Sequence, residues 1–289
     1  MSGVELVWDS RCVTAESCVW NAIARRILYA DIEGQRILAY GVDDGSRAAW
    51  DFPEPVGSFG LCRSGRFVVA LRHRVVLFDP RSGKTVALTD EVDEPPTNRL
   101  NDGKVGPDGC FWVGSMDTRP LKEPTGSLYR VRPDGKIERR ESAITISNGL
   151  AWSPDGRTLY HADSVPCTVN AWTFDAASGA ASDRRLFAKL SVEEGKPDGA
   201  ACDAEGCYWS AGVSAGCLNR LSPAGALVDK VALPVPAPTM PCFADEWLYF
   251  TTLRRRNDPE LLRKYPTLGG LFRLPAPVAG APVGVFGDD

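Results

Sequence analysis

The chain has 289 residues, a net charge of -4, 44% hydrophobic residues and only two histidines, His73 and His161. The acidity leaves no basic excess for neutralising phosphates, which argues against a nucleic-acid partner, and no window approaches the ~18 unbroken apolar residues of a membrane span. Two histidines exclude a multi-histidine zinc site and leave a serine–histidine nucleophile little room, so hydrolytic chemistry here falls to oxygen ligands or carboxylates.

The first eight residues, MSGVELVW, have neither a basic region nor an apolar run and do not read as a signal peptide. Nine cysteines, odd in number and without a CxxC pair, are expected to be reduced, buried thiols in a cytoplasmic protein. Beyond the strand-like VELVW at 4–8, short aromatic and β-branched runs recur between Gly, Asp and Pro clusters. They are ILYA at 27–30, FVVA at 67–70, FWVG at 111–114, TLYH at 158–161, CYWS at 207–210 and WLYF at 247–250. Anchored on Tyr29, Val68, Trp112, Tyr160, Trp209 and Tyr249, their spacings are 39, 44, 48, 49 and 40 residues. A second strand follows each: ILAY at 37–40, VVLF at 75–78, SLYR at 127–130, VNAW at 169–172, LNRL at 218–221 and GLFR at 270–273.

A strand–turn–strand unit repeated every 40–50 residues is the pattern of a propeller blade. Six units fill the chain, which predicts an all-β fold, a six-bladed β-propeller, as one domain over 1–289. The strand-like ends, VELVW at 4–8 and PVGVF at 282–286, are expected to pair within one blade and close the ring. Insertions at 117–125 and 254–267 predict exposed loops or a short helix, placed to act as a lid.

Blades point their innermost strand at a central channel, where equivalent positions of every repeat converge. Counting back 11 to 13 residues from each anchor reaches Glu16, Gly57, Asn101, Asn148 and Asp198, with Pro238 and Thr239 in the last unit. Asn, Asp and Gly also form turns, but turn formation does not require repeat-equivalent positions, nor a glutamate at one of them. Converging carboxylates and carboxamides predict a divalent-cation site favouring calcium, magnesium or manganese, with zinc or iron(II) as further candidates. Arg99, two residues before Asn101, faces the same channel if the segment is extended and suits an anionic or polyhydroxyl ligand. Its alternative partners are Asp93 and Glu94. The GxSxG match at 212–216 lacks a strand–turn–helix context. His161 reads as a packed or rim residue, and Arg254-Arg255-Arg256 as a solvated loop.

The segments NRLNDGKV at 98–105, GSM at 114–116, SNGLAWSPDG at 147–156, KPDG at 196–199 and DAEG at 203–206 resemble the gluconolactonase/regucalcin (senescence marker protein) family of six-bladed sugar lactonases. The resemblance covers nearly the whole chain. It implies a divalent metal held by Glu16, Asn148 and Asp198, with Arg99 and Asn101 contacting substrate. Where the family usually shows Gly-Glu-Gly or Gly-Glu-Ser followed by Pro, this chain has Ala15-Glu16-Ser17-Cys18. Near the last blade it has Phe243-Ala244-Asp245 and Thr251-Thr252-Leu253 in place of Phe-Gly-Gly and Thr-Ser-Ala. The implied activity is metal-dependent hydrolysis of a sugar lactone, an aldonolactone, to its open-chain acid, with Asp198 as general base. The alternatives are a metal-dependent esterase or organophosphate hydrolase on the same architecture, and a non-catalytic calcium-binding propeller. The expected partner is the small sugar lactone alone, with the protein a monomer or small homo-oligomer.

Overall fold

A computed structural model describes residues 3–254 and 257–288, so Arg255 and Arg256 of the basic triplet lie outside the described residues. Strand β1 (Glu5–Trp8) leads the chain. Blade 1 is β2 (Ala15–Asn21), β3 (Arg26–Asp31), β4 (Arg36–Gly41) and β5 (Arg47–Asp51). Blade 2 is β6 (Ser58–Leu61), β7 (Phe67–Ala70), β8 (Val75–Asp79) and β9 (Lys84–Ala87). Blade 3 is β10 (Asn98–Val105), β11 (Phe111–Asp117), β12 (Gly126–Val131) and β13 (Ile137–Ile144). Blade 4 is β14 (Ser147–Trp152), β15 (Thr158–Asp163), β16 (Thr168–Asp175) and β17 (Ala180–Lys189). After the one-turn helix α1 (Val192–Gly195), blade 5 is β18 (Pro197–Cys202), β19 (Tyr208–Gly212), β20 (Cys217–Leu221) and β21 (Leu227–Ala232). Blade 6 is β22 (Pro238–Ala244), β23 (Trp247–Thr252) and β24 (Leu271–Pro275), with helix α2 (Pro259–Lys264) in the insertion between the last two.

The first strands β2, β6, β10, β14, β18 and β22 pack against one another in a ring, which makes this a six-bladed β-propeller around a central channel. The core lies between blades. Trp50, Phe52, Phe59, Phe67 and Phe78 fill the gap between blades 1 and 2. Trp112, Trp152 and Phe174 form edge-on pairs between blades 3 and 4, and Tyr160, Phe187 and Tyr208 cluster between blades 4 and 5. Buried rings dominate such packing, each removing a large apolar area from water. All nine cysteines are buried and unpaired, as expected for reduced thiols.

An N-terminal and a C-terminal strand pair to close the ring, as expected, but the C-terminal one is not the segment at 282–286. Strand β1 does supply the outer strand of blade 6, but its partner is β24, with Glu5 opposite Arg273 and Leu6 opposite Phe272. The segment 282–286 forms no strand of a blade, and Phe286 makes only an isolated bridge to Cys62 beside β6. Pro282 has no N–H for a ladder, and a Cβ on Gly284 would stand 2.1 Å from the Gly106 carbonyl oxygen, so this stretch is fitted to a close crossing instead. The Ala281 amide donates to Cys202 O in blade 5, the Phe286 amide to Leu61 O in blade 2, and Asp288 pairs with Arg66 at 2.8 Å. The C-terminal segment therefore straps opposite sides of the ring at the channel's lower end. Helix α2, capped by Asp258, rests Leu261, Leu262 and Tyr265 on the apolar cluster of blades 5 and 6.

Candidate metal centre

Five of the six inner strands slip register at the same point. The slips fall between Glu16 and Val19, Leu100 and Gly103, Asn148 and Ala151, Pro197 and Ala200, and Pro238 and Pro241. A bulge bends a strand and re-aims its side chains. Here it turns Glu16, Asn101, Asn148 and Asp198 toward one end of the channel. Ser17, at φ 52°, and Gly149, at φ 63°, hold left-handed backbone within two of the slips. The remaining strand, β6, is regular, and Gly57 just before it contributes no side chain. Thr239, from blade 6, is turned aside: its hydroxyl donates to Ala15 O at 2.5 Å and meets Thr251 Oγ1 at 2.8 Å.

A hydrogen-bond chain fixes the amides. Arg99 Nη1 donates to Asn101 Oδ1 at 2.6 Å, and Asn101 Nδ2 donates to Ser147 O and Asn148 Oδ1, both at 2.9 Å. Ser164 gives its single hydroxyl proton to Pro197 O at 2.6 Å, so it can only accept from Asn148 Nδ2 at 2.8 Å. That leaves Asn148 Oδ1 on the channel side. Arg99 and Asn101 thus share a face, as the extended segment predicts. Neither alternative partner reaches Arg99: Glu94 accepts from Ser115 Oγ and Tyr129 OH, each at 2.6 Å, and Asp93 lies near Arg139.

Glu16 is buried and Asp198 half-buried, and neither forms a salt bridge with any described residue. Burial, then the fields of Asp198 and Asp102, raise the Glu16 carboxyl well above its usual range. Burial and the field of Asp102 push Asp198 up to about 8. Asp102 was not among the residues singled out from sequence. It is buried, accepts the Leu150 amide at 3.2 Å through Oδ2, and leaves Oδ1 without a partner among the described residues. Its own carboxyl is raised by burial, opposed by the ammonium of Lys104, which donates to Ala200 O at 2.5 Å. No three His, Cys, Asp or Glu side chains converge among the described residues. Glu16 and Asp198 lie in one another's fields, with Asp102 adding negative charge. With the Asn148 carboxamide on the neighbouring inner strand they offer oxygen donors only, the chemistry that suits a hard divalent cation.

These shifts have a measurable sign. The metal-free folded state holds protons that the unfolded chain, with carboxyls near 4, releases, so stability falls as pH rises from about 4 through about 8. Calorimetry of the chelated protein is expected to show unfolding several degrees lower at about pH 9 than at about pH 6, and excess divalent cation should remove that difference. An unchanged midpoint across this range would show that the carboxyls are not raised.

Two to four residues further along the same strands lies a cavity of about 330 Å³, lined by Cys18, Trp20, Lys104, Trp152, Cys202 and Cys242 and floored by the strap at 281–284. His161 is a core residue: it is buried, bonds Ser147 Oγ at 2.7 Å, and is pushed down to about 3 by burial, so it serves no base role. In the GxSxG match, Ser214 donates to Val192 O and accepts from the Lys196 amide, a turn without a histidine.

Residues 14–254 match the family described as SMP-30/Gluconolactonase/LRE-like region. The chain belongs to this family. Regucalcin of Homo sapiens is 33% identical over 279 residues, covering 94% of this chain and 93% of its own. The 6-deoxy-6-sulfogluconolactonase of Pseudomonas putida is 34% identical over 278 residues, 95% of each. The solved structure of a calcium-binding protein, regucalcin, from Agrobacterium tumefaciens shares the fold at a TM-score of 0.91 over 100% of this chain and 98% of that one, with 22% identity. The SMP-30/gluconolactonase match spans every inner strand that carries the oxygen donors. The C-terminal strap lies beyond it.

Proposed function

We propose that this protein hydrolyses a sugar lactone to its open-chain acid at a divalent cation held by Glu16, Asn148 and Asp198. The observation that carries the reading is the pair of carboxylates, Glu16 and Asp198, on bulged inner strands, neither in a salt bridge with a described residue. The activity named for the Pseudomonas putida relative supports a sugar lactone as substrate. A divalent cation bound there supplies Lewis acidity toward a carbonyl and makes a bound water more acidic.

The chain's own residues do the rest. Asp198, half-exposed to the channel, takes the proton of the attacking water on a carboxylate oxygen and returns it to the departing ring oxygen. Glu16 supplies charge, and Asn148 a neutral oxygen whose orientation Ser164 fixes. The Arg99 fork and the Asn101 amide hold ring hydroxyls and aim the lactone carbonyl.

The test is lactone opening in weak buffer, read as a falling pH, across pentono- and hexonolactones, before and after chelation and after refilling with calcium, magnesium, manganese or zinc. Activity is expected to vanish on chelation and return with one or more metals. Full activity in the stripped protein would defeat the metal role. Esters or phosphotriesters turned over faster than any lactone would replace the substrate class, and stabilisation by metal without turnover would leave a binding propeller.

A further inference from the structure

The channel mouth on the side of blades 2 and 3 gathers three cations: Arg72 in the β7–β8 turn, Arg99 on β10 and Lys122 in the β11–β12 loop. None of the three forms a salt bridge with a described residue. Their sequence neighbours do: Arg74 pairs with Glu54 at 2.7 Å, and Arg119 with Asp117 and Glu123, both at 2.9 Å. Unpaired charge is therefore not a general property of these loops.

Arg99 is half-buried, and its Nη1 donates to two neutral oxygens, Leu100 O at 2.9 Å and Asn101 Oδ1 at 2.6 Å. The other guanidinium edge has no hydrogen bond to a described residue. Arg72 is tied to the same strand, since its carbonyl accepts the Leu100 amide at 2.8 Å. Burial lowers Arg99 to about 10; the fields of Glu33 and Glu16 oppose that and the field of Arg72 adds to it. Lys122, also half-buried, is lowered by burial and by the field of Arg99, with Asp117 opposing. Arg99 thus sits in the field of Arg72, and Lys122 in that of Arg99. Across the mouth the countercharge is the exposed Glu33 in the β3–β4 turn. Like charges held together without a structural partner destabilise the empty protein. An anionic ligand group would relieve them, through the forked, charge-assisted bonds that guanidinium makes to oxyanions.

We infer that the lactone bound here carries a fixed anionic group, a phosphate, sulfonate or carboxylate, at the end away from its ring carbonyl, and that Arg72 and Lys122 receive it, with Arg99 adding its field. This rests on the lactonase reading. The carbonyl then lies toward Glu16 and Asp198, and the charged end toward blades 2 and 3.

The experiment compares the neutral gluconolactone with gluconolactones phosphorylated or sulfonated at the terminal carbon, and with the lactone of glucarate. The anionic lactones are expected to show kcat/KM about tenfold or more above the neutral one at low ionic strength, with the gap shrinking at about 0.5 M salt. Their rank order identifies the anion. Arg72→Ala and Lys122→Ala should each lower the anionic-to-neutral ratio by roughly threefold to tenfold, and Glu33→Gln should raise it. Calorimetric binding of gluconate and of its terminally phosphorylated form supplies a readout independent of turnover. Equal kcat/KM for neutral and anionic lactones, or a ratio unmoved by both alanine variants, overturns the inference while the lactonase reading stands. Turnover of no lactone, with binding that still prefers the phosphorylated acid, sinks the lactonase reading and leaves the anion site.

Discussion

Asp198→Asn is expected to lower kcat for lactone opening by about a hundredfold to ten-thousandfold, while raising the thermal stability of the metal-free protein. The two effects have one cause. The carboxylate sits in a channel whose neighbours, Glu16 and Asp102, are also acidic, and its proton affinity is raised by burial and by the Asp102 field. An amide of the same shape removes the base and a ligand charge together, and removes the repulsion as well. Metal affinity should fall in parallel, since one of two full ligand charges is gone. Kinetics in saturating metal and thermal melts in chelator check the pair of outcomes. Near-wild-type turnover would defeat the base assignment. A lower melting temperature without metal would defeat the argument that like charges strain the apo channel.

A large stability loss is expected from Gly149→Ala. At φ 63° the residue occupies left-handed backbone, and an added Cβ would lie 2.3 Å from Tyr208 Oη, 2.9 Å from Ala162 Cβ and 3.1 Å from Asp198 O. Tyr208 is fully buried and donates to Gly149 O at 2.8 Å, so it has little room to retreat. Backbone strain and overpacking together should cost about 2–5 kcal/mol in urea unfolding. Gly65→Ala is the control, because φ is 86° there but nothing lies within 4 Å of the added methyl. It should cost about 1–2 kcal/mol. The Gly149 change also presses on the stretch between Asn148 and Asp198, so metal affinity should drop in it and not in the control. Equal losses in both variants would show that the steric contacts do not matter.

The sixfold repeat was legible because each blade's second and third strands are buried and apolar, as in FVVA of β7 and VVLF within β8. The outermost strands of blades 1 to 5 were not. Strand β9 is wholly exposed, and β21 nearly so, with sequences that follow no apolar alternation. The channel residues were found by counting, since repeat-equivalent positions converge whatever their local sequence. Asp102 was missed for a physical reason. In a regular strand it would point away from the face that Asn101 occupies; the bulge between Leu100 and Gly103 brings both to bear on blade 4. Arg99 was singled out, but Arg72 and Lys122 were missed, because only the packing of loops from two blades brings them near it.

The strap has a consequence in time. Its contacts run from Cys202 in blade 5 to Leu61 in blade 2, and it follows all six blades in the chain. Blades can form one by one as the polypeptide emerges, each from local hairpins. The lower end of the channel, however, cannot shut until residues 280–288 are made, and blade 6 takes its fourth strand from residues made at the outset. The first and last segments are thus both committed late, through contacts of very long sequence separation, which slow folding. Until then the thiol-lined cavity stands open from below, so Cys18, Cys202 and Cys242 meet solvent and oxidants chiefly during the folding of a new chain.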